Sequence, residues 1–246
     1  MPSELLILAI LVFAAAALYS LVGHGGASAY LAILVLAGFP REGIASTVLA
    51  LNILATLLGT VNYWRAGHFD PRLLFPFILT SVPAAFLGGS LHISQQTLSL
   101  ILGLTLLAAG LRFLLFTNPI AGRQSVSLRL LFGVGLPVGF VLGFLAGLIG
   151  IGGGIFLSPL LLFMGWADAK KTAAISAAFI LLNSLSGLTA HILKGTPEWT
   201  LLGTLAVAVL LGGGVGSYIG AFRLAPVTLQ RLLGFVLIVA GFKLLI

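Results

Sequence analysis

Cysteine is absent from this 246-residue chain, which excludes disulfides, thiol catalysis and thiolate metal sites. Charge is nearly as scarce. Asp and Glu together number five, and charged residues make up 7% of the chain against 60% hydrophobic. A soluble protein of this size could not keep its surface wet with so few charges, and the mean hydropathy of +1.22 agrees. Lipid is therefore the expected solvent for most of the chain. Every long segment is apolar, which leaves no room for a separate soluble domain. The net charge of +7 comes from 12 scattered Lys and Arg, so the concentrated basic patch that nucleic-acid binding needs is missing. The opening residues, MPSELLILAI, lack the basic region of a cleaved signal peptide, and a retained first helix is expected.

What remains is a series of apolar stretches. They run over 5–40, 43–64, 73–91 and 95–111, then, after a basic and polar stretch at 112–129, over 130–167, 172–193, 199–222 and from 224 onward. The middle stretches fit single membrane spans of roughly 20 residues. The first stretch of each group is too long. As one helix, Leu5 to Pro40 would extend about 54 Å, more than tilt absorbs. Glycine clusters mark the natural breaks: "GHGG" at 23–26 and "GIGGG" at 150–154.

These clusters belong to a longer correspondence. Gly38 and Phe39 lie over Gly165 and Trp166, Gly89 over Gly220, Gly103 over Gly234, and Gly110 over Gly241. The order of the matches, more than any one of them, indicates an internal duplication, the common build of secondary transporters. The expected fold is an all-α polytopic membrane protein of two repeats, 1–116 and 130–246, joined by a cytoplasmic linker at 117–129. Each repeat holds a glycine-rich helical hairpin, re-entrant or broken, followed by three transmembrane helices. In the first repeat these segments are 5–22, 27–38, 43–65, 72–91 and 96–116, and the second is too short to span. A hairpin that starts and ends on one side, plus three crossings, makes an odd number, so the second repeat is expected to be inverted.

The basic residues agree with that topology. It gathers Arg65, Arg72, Arg112, Arg123, Arg129, Lys170, Lys171, Arg223 and Arg231 on one side and leaves Arg41, Lys194 and Lys243 on the other. The crowded side is predicted to be cytoplasmic. A multi-pass protein of the cell inner membrane with both termini outside is expected.

Ionisable groups inside a membrane mark function. All five carboxylates, Glu4, Glu42, Asp70, Asp168 and Glu198, sit at predicted segment ends or loops. That argues against a cation pump, a divalent-metal carrier and a carboxylate proton relay. Enzyme chemistry finds no constellation either: there is no His-Glu-x-x-His, no paired acids, and no serine with a base and acid around it. No cofactor or metal is expected. The interior offers neutral polar groups and bare backbone instead. Each glycine cluster frees backbone N–H groups at the start of a following half-helix, and such an end carries about half a positive charge. Two such ends near the midplane could hold one small anion without a cationic side chain.

The residues predicted to line that site are Gly23, His24, Gly25, Gly26, Ala27, Ser28, Thr47 and Asn52 from the first half. Gly150, Gly152, Gly153, Gly154, Ile155, Ser176 and Asn183 come from the second. Ser46, Thr56, Asn62, Ser158, Ser184, Ser186 and His191 are further polar groups of the interior. For Asn52 and Asn183, substrate contact and helix–helix bonding are both open readings. His24 stands between glycines where the other half has Ile151, and both a structural and a functional role fit it. His191 is expected near an interface; His68 and His92 read as loop residues.

At these residues the chain resembles the TauE/SafE family of membrane permeases, the toluene sulfonate uptake permease superfamily. The resemblance rests on "GLIGIGGGIFLSPLLLFMG" (147–165), its echo "LVGHGGASAYLAILVLAG" (21–38), and the segments "GIASTVLALN" (43–52) and "TAAISAAFILLN" (172–183), and it covers essentially the whole chain. In the echo, Ala27 replaces the last glycine of the cluster and Ala32 stands where Pro159 would align. The resemblance implies transport of small sulfur-containing anions such as sulfite, thiosulfate or organosulfonates, with export the expected direction. A channel or facilitator for other small anions or neutral solutes is the alternative. Expected partners are the anion, a coupling ion where one is used, and the bilayer, with monomer and homodimer both open. With no buried carboxylate, membrane potential alone can drive export, at ~2.3 kcal/mol per charge per 100 mV. Should protons couple, His24 is the first candidate.

Overall fold

The computed structural model describes residues 2–39, 41–91, 96–115, 126–193 and 195–245. His92, Arg123, Lys194 and most of the stretch read as a linker lie outside them, as do the side chains of Arg41, Glu42 and Arg112. The described residues form ten α-helices: α1 (Pro2–Leu21), α2 (Ala27–Leu36), α3 (Arg41–Arg65), α4 (Pro71–Ser90), α5 (Gln96–Leu115), α6 (Leu128–Ile149), α7 (Gly154–Phe163), α8 (Ala169–Ile192), α9 (Trp199–Tyr218) and α10 (Pro226–Leu245). A π-helical turn, Ile219–Arg223, extends α9. Seven of these helices are long and apolar enough to cross a membrane. The outward faces carry residues such as Leu6, Ile10, Val207 and Leu211, as a bilayer-facing surface requires.

The overlong stretches do break, and at the glycines. α1 ends at Leu21 and α6 at Ile149. Gly23, Gly26, Gly150, Gly152 and Gly153 all have positive φ, between 72° and 97°. No other residue type reaches that region easily. The helices that follow, α2 and α7, have ten residues each, or ~15 Å, about half the hydrocarbon thickness. Both stop where a positive-φ glycine follows, at Gly38 and Gly165. α6 begins at Leu128, two residues inside the predicted linker, because the Ser127 side chain accepts from Leu130 N–H and caps it.

Pairing among the helices has a simple rule. α1 packs on α9 and α4 on α6, α3 packs on α9 and α4 on α8, and α3 meets α8 as α5 meets α10. Exchanging the two halves maps this set onto itself. The α1–α9 and α4–α6 seams are parallel and backbone-close. A Cβ on Gly212, Gly216 or Gly220 would fall 2.3, 2.1 and 2.1 Å from the carbonyls of Phe13, Ala17 and Leu21. One on Gly139, Gly143 or Gly147 would fall 2.3, 2.2 and 1.9 Å from those of Phe77, Ser81 and Ala85. Small residues at every fourth position permit such approach in lipid, where apolar burial supplies little drive. α3 and α8 run antiparallel, with Ser46 bonded to Gly195 O and Asn52 to Ser184. These two central helices carry the polar interior, and both glycine turns dock onto them.

Candidate functional site

The first turn closes α1 through Gly23 N–H to Ser20 O and His24 N–H to Tyr19 O. It is pressed tightly onto α8: a Cβ on Gly23 would lie 2.1 Å from Ala173 O. This drives His24 inward, where it is 3% exposed. Its Nε2 lies 2.8 Å from Ser158 Oγ on α7. Ser158 Oγ is 2.7 Å from Ser176 Oγ on α8 and can also donate to Gly154 O, at 3.2 Å. One short hydrogen-bonded chain therefore joins the first turn, the second half-helix and a central helix. His24 Nδ1 is buried and has no hydrogen-bond partner among the described residues.

A small pocket opens beside His24. Its first-half lining is Tyr19, His24 and residues 25–28; its second-half lining is Ile151, Ile155 and Ile180. Ser28 Oγ donates to Tyr19 Oη across it at 3.3 Å. Among the described residues no Lys, Arg, Asp or Glu lines it. The starts of α2 and α7 both face it, through Ala27, Ser28 and Ile155. Those helix ends bring partial positive charge to it.

Beneath the pocket the two turns meet on one side chain. Asn52 Oδ1 accepts from Ala27 N–H at 3.2 Å, and its Nδ2 donates to Ser184 Oγ at 2.8 Å. A Cβ on Gly25 would fall 2.0 Å from Asn52 Oδ1. One on Gly152, in the other turn, would fall 2.7 Å from Ser184 Oγ and 2.9 Å from Asn52 Nδ2. Tyr30 Oη reaches back to Gly25 O and fixes the first turn further.

The remaining predicted residues are placed differently. Asn183 is buried in α8, spends Nδ2 on Phe179 O at 2.8 Å, and leaves Oδ1 unpartnered. Thr47 lies near the start of α3, where its Oγ1 accepts from Glu198 N–H at 2.9 Å, away from the pocket. Gly150 and Gly153 shape the second turn without lining the pocket. Ser176 belongs to the His24 chain. Four residues of the pocket lining and the His24 chain were not among the predicted site residues: Tyr19, Ile151, Ser158 and Ile180. Ser158 carries a sequence signal, a hydroxyl one turn into a half-helix, four residues after Gly154. Tyr19 offers none beyond a phenol near a helix end.

Charged groups keep to the periphery. Asp70 caps α4 through Arg72 N–H and Asp168 caps α8 through Lys171 N–H, at 3.0 and 2.8 Å. Lys170 Nζ donates to Ala221 O in the π turn at 3.0 Å. Half-buried His68, in the α3–α4 connection, has its pKa lowered by burial first and by the Lys170 charge second. His191 Nε2 lies 3.2 Å from Gly147 O and ties α8 to α6. Among the described residues no group of three His, Cys, Asp or Glu could hold a metal ion.

Comparison with known proteins gives one consistent result. The model of the sulfite exporter TauE/SafE family matches residues 8–244. A "probable membrane transporter protein", y4hK of Sinorhizobium fredii, is 35% identical over 258 aligned positions that cover all of both chains. Another so named, YjnA of Bacillus subtilis, is 25% identical and covers 93% of this chain and 95% of its own. No solved structure matches.

Proposed function

The chain belongs to the sulfite exporter TauE/SafE family of membrane transporters, and on that premise we propose that it carries small sulfur-containing anions out of the cell. The observation that supports this is the pocket where two half-helix starts converge, with no cationic side chain and no carboxylate among the described residues of its lining. Bare helix N-termini suit a small, delocalised oxyanion: they supply N–H donors and partial positive charge at no desolvation cost to a lysine or arginine. A metal cation would find no carboxylate there.

Two inverted repeats, 1–116 and 130–246, are the architecture proposed for this transport. The exchange-symmetric helix pairing supports them. So does the antiparallel register of the equivalent helices: 46 faces 195 and 52 faces 184 in α3–α8, and 103 faces 241 and 110 faces 234 in α5–α10. Rocking one repeat against the other would expose the pocket alternately. Both termini are then outside the inner membrane, and the Lys170–Lys171 end of α8 is cytoplasmic.

The test is a thermal-shift screen of purified protein against sulfite, thiosulfate, taurine, isethionate and sulfoacetate. Saturable stabilisation by at least one of them, and by no chloride salt at equal ionic strength, is expected. A flat response to all five would refute the anion reading. Flux that rises linearly without saturation would favour a channel.

A further inference from the structure

The pocket proposed for the anion is lined by one imidazole, that of His24, and half of that side chain is unused among the described residues. His24 is buried. Its Nε2 is engaged with Ser158 Oγ, and Ser158 is held in turn by Ser176 and Gly154. Its Nδ1 is buried with no partner among the described residues, on a residue that lines the pocket. A neutral imidazole with Nε2–H donating to Ser158 presents a bare acceptor at Nδ1. A buried acceptor without a donor is costly, and a proton is the smallest group that can satisfy it.

We infer that His24 Nδ1 is a proton-binding site that fills only together with the anion, so that one proton travels with each anion carried. This rests on the anion site proposed above. Alone, an imidazolium in this pocket would have no counter-charge. Among the described residues the other titratable groups around it are the phenols of Tyr19 on α1 and Tyr30 on α2, while α3, α7 and α8 present the neutral Asn52, Ser158 and Ser176. Alone, the anion would meet only helix ends. Together they neutralise one another, and each raises the other's affinity by the same factor.

The step balances simply. A proton from solvent adds to Nδ1, the anion enters, and both leave on the far side, which returns His24 to its neutral form. For a divalent anion such as thiosulfate the moving pair still carries one negative charge outward. The membrane potential therefore continues to favour export, at half the charge expected of the anion alone. This replaces purely potential-driven export with a mixed dependence on potential and pH.

Calorimetric titration of thiosulfate into purified protein, in two buffers of different ionisation enthalpy, counts the protons taken up. Thiosulfate keeps its charge over the range used, from about pH 5.5 to about pH 8, so any linkage belongs to the protein. The expected result is uptake approaching one proton per anion, with affinity rising about tenfold per pH unit as pH falls, the limit for one linked proton. His24→Gln, or His24→Asn should the first not fold, is expected to bind thiosulfate weakly, without uptake and with a flat pH dependence. His68→Gln and His191→Gln are expected to keep the uptake. Tight, pH-independent binding to the wild type without uptake would overturn the inference and leave the anion transporter standing. Uptake that survives in the His24 variants would place the proton elsewhere and overturn it too. No binding of thiosulfate or of any of the other four anions in the same titration would overturn both readings.

Discussion

The two glycine turns solve the same problem with different parts. Each ends a full helix, passes through left-handed glycines, and starts a ten-residue helix whose N-terminus reaches the interior. The first turn is held by side-chain chemistry: Asn52 caps Ala27, Tyr30 Oη binds Gly25 O, and His24 reaches Ser158. The second offers Ile151 where the first has His24. Asn183, which the sequence correspondence sets against Asn52, bonds its own helix at Phe179 and caps no described residue of the second turn. In the proposed two-repeat architecture, the first turn thus supplies the polar side of the pocket while the second half supplies an apolar wall of Ile151, Ile155 and Ile180.

Backbone substitution should break this comparison most severely. Gly23→Val must place a branched side chain at φ +77° with its Cβ 2.1 Å from a backbone carbonyl. A loss of about 3 kcal/mol or more is expected, seen as little folded protein in detergent. Gly152→Val has the same φ, but its Cβ meets the ends of Ile180 and Ser184 at 2.7 Å. Those side chains can shift, so a smaller drop in melting temperature is expected.

The two asparagines sharpen it next. Asn52→Ala strips partners from Ala27 N–H and Ser184 Oγ in a buried site, at a cost of about 2–3 kcal/mol. Asn183→Ala removes an amide whose Oδ1 is already unpartnered, and a change within about 1 kcal/mol is expected. Equal losses in melting temperature would deny the asymmetry. Ser158→Ala should fall between them, at about 1–2 kcal/mol, because it leaves His24 Nε2 without its partner.

The smallest effect lies away from both turns. Since the folded protein holds the His68 pKa below its ordinary value, the unfolded chain binds protons more readily there. Stability should be fully present above about pH 6.5 and decline modestly as pH falls through that value. His68→Gln should remove that portion of the decline in a pH series of melting temperatures.

Much of the frame was legible because it follows from length. A stretch too long to span must break, and the glycines are where it can, so α1 and α2 fall close to their expected bounds, and α6 ends and α7 begins at the second glycine cluster. α9 is less regular than expected: its apolar stretch continues past Tyr218 as a π turn, where Gly220 must clear Leu21 O and Lys170 binds Ala221 O. The site itself was only half legible. Glycine clusters announce where bare backbone is, but the partner of His24 lies 134 residues away, and no local pattern encodes that distance. Thr47 and Asn52 share one helix and look alike as polar interruptions. Five residues along α3 carry Asn52 to the turns and leave Thr47 on the Glu198 backbone.

The central claim is that the converging turns form the transport site. Its most direct test is efflux of labelled thiosulfate from proteoliposomes by the wild type and by Ser28→Leu, which fills the pocket beside Tyr19 without touching the Asn52 clamp. Saturable wild-type efflux that falls at least tenfold in Ser28→Leu, with both proteins melting alike, is the predicted result. Equal efflux from the two would contradict it.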